Sequence, residues 1–177
     1  MRVLVIGAGP TGLTAGLELA RRGVKSVVIE RREAPSALSR TVGITPSSLN
    51  LLEASGVSEK FLAEGIHFAR ARIYQSDQLL LDLPFRPRRT KFGRAFILGL
   101  AQDRTEAHLA EAYRAFGGEL RYGAELTDLE LRDREVVATT RSGVSDAYDY
   151  VVAADGAESR SRQLLGILFD GIGLPET

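Results

Sequence analysis

The segment Gly7-Ala8-Gly9-Pro10-Thr11-Gly12, which follows directly on the apolar run Val3-Leu4-Val5-Ile6, limits the fold more than any other stretch of the chain. A run that is apolar at every position reads as a strand covered on both faces. The glycines allow a tight turn and let the backbone come close to phosphate oxygens, while the helix that follows aims its free N–H groups at them. A helix is predicted from about Thr11 to Arg22. Leu13, Leu17 and Ala20 share its inner face, Glu18, Arg21 and Arg22 look outward, and Gly23 stops it. A second strand follows from Ser26 to Glu30. Strand, glycine turn, helix and strand in one βαβ unit make the glycine pattern a seat for a dinucleotide pyrophosphate.

Glu30 lies eighteen residues beyond Gly12, at the carboxyl end of the second strand, where an acidic side chain accepts both hydroxyls of an adenosine ribose. A 2′-phosphate at that point would be repelled. Arg31 and Arg32 leave this preference open, since they could attract a phosphate or simply be solvated.

With 177 residues, the chain is long enough for one domain or slightly more, and it buries roughly 70% of its extended surface. Its 23 basic and 23 acidic residues balance, so no global field recommends nucleic acid or an anionic membrane as a partner. Met1 to Ile6 is too short for the apolar region of a signal peptide, and no run has the length of a membrane span, so a cytoplasmic location is expected. The absence of cysteine removes disulfides, a thiolate nucleophile, a zinc cluster and a redox-active dithiol. His67 and His108 are too few and too far apart in sequence for a metal site; each reads as a surface histidine.

From Arg32 to Thr45 no apolar period is visible, and the stretch, which carries Arg40, reads as loop. A short helix is expected from Pro46 to near Gly56. Ala71–Gln75 and Leu79–Leu83 form a hairpin around Ser76-Asp77-Gln78. Residues 85–94 form the one basic cluster, read as a solvated loop or as an attractor of phosphates. Gln102 to Phe116 is a helix with Leu109, Ala112, Tyr113 and Phe116 on one face, and Glu119 to Tyr122 a short strand. Glu125–Arg132, Glu135–Arg141 and Val144–Tyr148 form an antiparallel meander. Tyr150–Ala154, apolar throughout, returns to the parallel sheet as a strand covered on both faces and ends in Asp155-Gly156, where the ligands of such sheets gather.

Taken together, these residues resemble the flavin-dependent aromatic hydroxylases typified by para-hydroxybenzoate hydroxylase, over the N-terminal part of that family. Beside the fingerprint and Glu30, the segment Ser39-Arg40-Thr41-Val42-Gly43-Ile44 is similar to the family's Arg-x-x-Gly segment. Arg40 thereby inherits a contact to the FAD pyrophosphate. Gln102 is placed like the family's FAD-contacting glutamine. Val151 to Arg162 is similar to the family's Asp-Gly motif, implicated in FAD and NADPH binding; the chain departs from it with Glu158 for arginine and Ser161 for valine.

The resemblance implies a Rossmann-like FAD-binding parallel sheet with an antiparallel meander over 125–149 and part of an antiparallel substrate-domain sheet. The FAD-binding domain would comprise 1–69 and 101–166, and 70–100 and 167–177 would be substrate-domain segments. Gly7, Gly9, Pro10, Thr11, Gly12, Glu30, Arg31, Arg40, Gln102, Asp155 and Gly156 are the expected FAD-binding residues. No catalytic residue and no metal ligand is assigned. The implied chemistry is NAD(P)H-dependent hydroxylation of a small, aromatic molecule with oxygen. A halogenase or prenyl reductase of the same superfamily, or a non-catalytic nucleotide-binding module, are the other readings. Relatives continue well past the equivalent of Thr177, so weak FAD binding by this chain is expected, and unpaired sheet edges point to self-association as a homodimer.

Overall fold

The computed structural model describes residues 1–37, 41–85 and 95–171. By compactness the chain divides into residues 1–34 with 118–177, and residues 35–117. These boundaries differ from the expected ones at 69/70, 100/101 and 166/167: residues 35–69 and 101–117 group with the hairpin segment.

In the first unit, β1 (Arg2–Ile6), β2 (Lys25–Ile29), β8 (Glu119–Arg121) and β12 (Tyr150–Ala153) form one sheet in the order β12-β1-β2-β8. Every pairing is parallel. Helix α1 (Pro10–Arg21) joins β1 to β2 and buries Leu13 and Leu17 completely. Truncating either leucine to alanine costs about 2–5 kcal/mol on the usual scale for a filled core. The meander β9 (Leu126–Leu131), β10 (Val136–Thr140) and β11 (Ser145–Tyr148) runs antiparallel. It places Leu126, Ala138 and Tyr148 in one core cluster with Leu4, Ile6, Val27 and Ile29. Alternate residues of β1 and β2 thus enter this cluster while Val3, Val5 and Val28 are buried as well, which explains their unbroken apolar run. Helix α5 (Arg160–Leu164) follows β12 and packs beside β9.

β12 corrects one expectation. It is parallel to β1 as expected, yet it forms the sheet's outer strand, and Tyr150 is 61% exposed. An apolar run indicates a strand but does not fix which neighbours cover it.

The second unit holds β3 (Thr41–Ile44), α2 (Pro46–Leu51), α3 (Val57–Glu64), β4 (Ile66–Phe68), β5 (Arg70–Gln75), β6 (Gln78–Pro84), β7 (Ile97–Ala101) and α4 (Gln102–Ala115). β3 and β4 flank β7 antiparallel. Hence Thr41–Ile44 is strand rather than the expected loop, held by its pairing with β7. Pro46 starts α2 with Thr45 as its cap, and Gly56, at φ +75°, separates a 3₁₀ turn from α3. β5 and β6 form the expected hairpin, turning at Ser76. Ile73, Tyr74 and Leu80 on it are about half exposed. On α4 the predicted face holds for Leu109, Ala112 and Tyr113, whereas Phe116, just past the helix end, is exposed.

Candidate functional site

In parallel strands the carboxyl ends coincide, and the register places Ile6 beside both Ile29 and Ala153. The chain leaves β1, β2 and β12 at one edge, where Gly7, Glu30, Arg31, Leu126, Asp155 and Arg160 line a cavity of about 460 Å³. That volume lies within the roughly 300–1,000 Å³ usual for small-molecule sites. The carboxylate-bearing residues 30 and 155 therefore face the same cavity.

The three fingerprint glycines answer to different demands. Gly7 has φ +100°, and a Cβ on it would lie 2.4 Å from the carbonyl oxygen of Ala154. A Cβ on Gly12 would lie 1.9 Å from the carbonyl oxygen of Gly7. Both are therefore required by the chain's own packing. Gly9 is different: its backbone is extended at φ −74°, ψ 178°, and an added Cβ meets nothing within 4 Å. The chain itself does not require glycine there, and the missing side chain leaves the backbone open to close approach. Gly9 is also the N-cap of α1; no side chain caps this helix, and Pro10 occupies its first turn. The N–H groups of that turn, Thr11 and Gly12 among them, are the kind a bound anion satisfies.

Glu30 is 7% exposed and fixes this turn. Its Oε2 accepts the Ala8 N–H at 2.8 Å, and its Oε1 accepts the Arg32 N–H and Nε–H, each at 3.0 Å. Burial pushes the carboxyl upward, but the Arg32 guanidinium and the two amides outweigh it and hold the group below the ordinary range. It remains an anion and an acceptor. Arg31 extends to Glu158, Nη2 to Oε2 at 3.3 Å, with both side chains largely exposed. Of the two arginines after Glu30, each thus has a carboxylate partner.

Asp155 is used differently. Its Oδ1 accepts the Ser159 hydroxyl at 2.7 Å, and its Oδ2 accepts the Ser161 N–H at 2.8 Å and hydroxyl at 3.0 Å. Ser159 in turn accepts the Arg162 N–H at 3.0 Å. Burial raises the Asp155 carboxyl, yet these hydrogen bonds win and lower it. The carboxylate closes the start of α5, and Gly156, at φ +81°, lets the loop reverse there.

Gln102 opens α4 in the other unit and donates from Nε2 to Glu106 at 2.8 Å. Arg40 lies outside the described residues, as do 86–94 of the basic cluster. The histidines have partners: His108 Nε2 lies 2.7 Å from Glu64, and His67 stacks on Phe96 at 4.1 Å. Sequence reasoning missed the clamp of Arg32 on Glu30 and the Arg31–Glu158 pair. For the first, the short spacing of the two residues was a usable signal; for the second, a separation of 127 positions left none.

The family described as FAD binding domain matches residues 1–174. A rifampicin monooxygenase of Streptomyces venezuelae is 33% identical over 96% of this chain and 34% of its own length. A dialkyldecalin synthase of Streptomyces rugosporus is 31% identical over 96% of this chain and 35% of its own. Among solved structures, p-nitrophenol 4-monooxygenase from Pseudomonas putida DLL-E4 superposes with a TM-score of 0.87 at 26% identity, over 96% of this chain and 44% of its own. The chain spans about a third of the length of the curated relatives it matches. It belongs to the FAD-binding domain family.

Proposed function

We propose that, in this member of the FAD-binding domain family, the cavity beyond β1, β2 and β12 takes the adenosine diphosphate end of FAD, and that the chain is the cofactor-binding part of a flavin-dependent monooxygenase. The observation that carries the reading is Gly9, where an added Cβ would meet nothing within 4 Å, at an uncapped helix end and next in sequence to Ala8, whose N–H Glu30 accepts. Thr11, Gly12 and the rest of the first turn of α1 receive the diphosphate, and Glu30 accepts the ribose hydroxyls. Asp155 and Gly156 hold the β12–α5 loop as the opposite wall. Arg40 and Gln102 are proposed to touch the pyrophosphate and the flavin, on the resemblance of their segments.

One helix end contributes about 0.3–1 kcal/mol toward an exposed anion and about 2 when partly buried. Micromolar binding needs about 8 kcal/mol, so burial of the adenosine and the ribose hydrogen bonds supply most of it. When bound, FAD supplies two-electron redox chemistry; the protein contributes position, orientation and exclusion of water. NAD(P)H is the proposed electron source and an aromatic or related small molecule the proposed substrate, in keeping with the monooxygenases among the relatives. A second reading keeps the site and changes the chemistry, since a similar relative is named a synthase.

Calorimetric titration of ADP tests the site: saturable binding at one site is expected, weakened about tenfold by Glu30→Gln. Absence of saturable binding would contradict it. In the enzyme of which this chain is proposed to be the cofactor-binding part, loss of the bound flavin's visible absorbance with NADH or NADPH, followed by oxygen uptake, supports the monooxygenase; a flavin that neither coenzyme reduces there supports the synthase.

A further inference from the structure

An acid at the end of the second strand selects a free ribose 2′-hydroxyl, whereas an arginine nearby accommodates a 2′-phosphate. This chain presents both signals, Glu30 followed at once by Arg31 and Arg32. By themselves these three side chains would carry net positive charge at the point where a 2′-phosphate would sit. The structure removes that excess. Arg32 is committed to Glu30 at 3.0 Å, and Arg31 is drawn across to Glu158 at 3.3 Å. Two carboxylates and two guanidinium groups then leave this part of the rim formally neutral.

The partner comes from the far side of the cavity. In the order β12-β1-β2 the first strand lies between the other two, with Arg31 following β2 and Glu158 following β12. Both residues line the cavity, so the pair crosses it beside the turn after β1. The other cavity arginines are already engaged: Arg141 pairs with Glu125 at 2.8 Å, and Arg160 donates to the Thr127 carbonyl and to Gln163, each at 3.3 Å.

We propose that Glu158, acting through its ion pair with Arg31 across the cavity mouth, is a positioning residue that makes this site reject adenine nucleotides bearing a 2′-phosphate. The inference rests on the reading of the cavity as an adenosine diphosphate site. It assigns the selectivity to a long-range pair as well as to Glu30.

The test is calorimetric titration of ADP-ribose and 2′-phospho-ADP-ribose, which differ only at the 2′ position. The proteins are the chain as it stands and its Glu158→Gln, Arg31→Gln and doubly substituted variants, at low and high salt. The substituted side chains are largely exposed, so each variant is expected to fold. An exposed pair has a modest effect, and Glu158→Gln is expected to raise affinity for the 2′-phosphorylated ligand about fivefold relative to ADP-ribose. That gain shrinks to below about twofold when Arg31 is also glutamine, and it fades with salt. Equal changes for both ligands, or a gain undiminished without Arg31, overturn the proposal while leaving the site intact. Failure of ADP-ribose to bind any variant overturns the site reading and this inference with it.

Discussion

Two turns leave the same edge of the parallel sheet, one from β1 into α1 and one from β12 into α5, and they treat their helix ends in opposite ways. The end of α1 is left open: its N-cap is glycine, no side chain caps it, and the nearby carboxylate of Glu30 accepts from Ala8 and Arg32 instead. The end of α5 is closed by its own residues, with Ser159 accepting from Arg162 and Asp155 accepting from Ser161. A helix end already satisfied offers little to an anion. The first turn is therefore a seat and the second a wall, although both carry a glycine, both are held by a carboxylate and both resemble cofactor motifs in sequence.

The contrast predicts unequal responses to substitution. Gly12→Ala strikes the packing of the seat itself, since the new methyl would lie 1.9 Å from the Gly7 carbonyl oxygen. A stability loss of at least about 3 kcal/mol is expected in urea unfolding. Asp155→Ala removes the acceptor of one amide and two hydroxyls, for a loss of about 1–2 kcal/mol by the same measurement, with ADP affinity little changed.

The acid limb follows from the same bonds. Glu30 and Asp155 both have lowered folded pKa values, so the stability they contribute is complete above the ordinary carboxylate range. It is lost as pH falls through the lowered values, and the urea midpoint should drop below about pH 4. Asp155→Asn should make that limb shallower; an unchanged limb would show that the bonds to α5 do not persist in solution. Gly9→Ala is the mildest change to the fold, within about 0.5 kcal/mol, because the methyl meets nothing. It should nonetheless weaken ADP binding, and a variant that binds ADP normally would remove the distinction between Gly9 and its neighbours.

The sequence was most legible where structure is local. The β1–α1–β2 unit, the hairpin and the meander each declare themselves through an apolar period and a turn residue within a short window. β3, β4 and β7 escaped that reading because they are three to five residues long and exist through pairing with one another. α3 escaped because its N-cap is Gly56 rather than Ser, Thr, Asp or Asn. Within the site, Gly7, Gly12 and Glu30 were legible by spacing. The special status of Gly9 was not, since it depends on what surrounds a missing side chain. The partners of Asp155 lay close in sequence, at Ser159 and Ser161, whereas the bond from Arg31 to Glu158 joins distant loops through the strand order alone.

The difference between the two turns can be observed directly by following backbone amide resonances while ADP is added. The amides of Gly9, Thr11 and Gly12 are expected to move with saturation while those of Ser161 and Arg162 stay in place. Shifts concentrated at Ser161 and Arg162, with the β1–α1 turn unmoved, would contradict it.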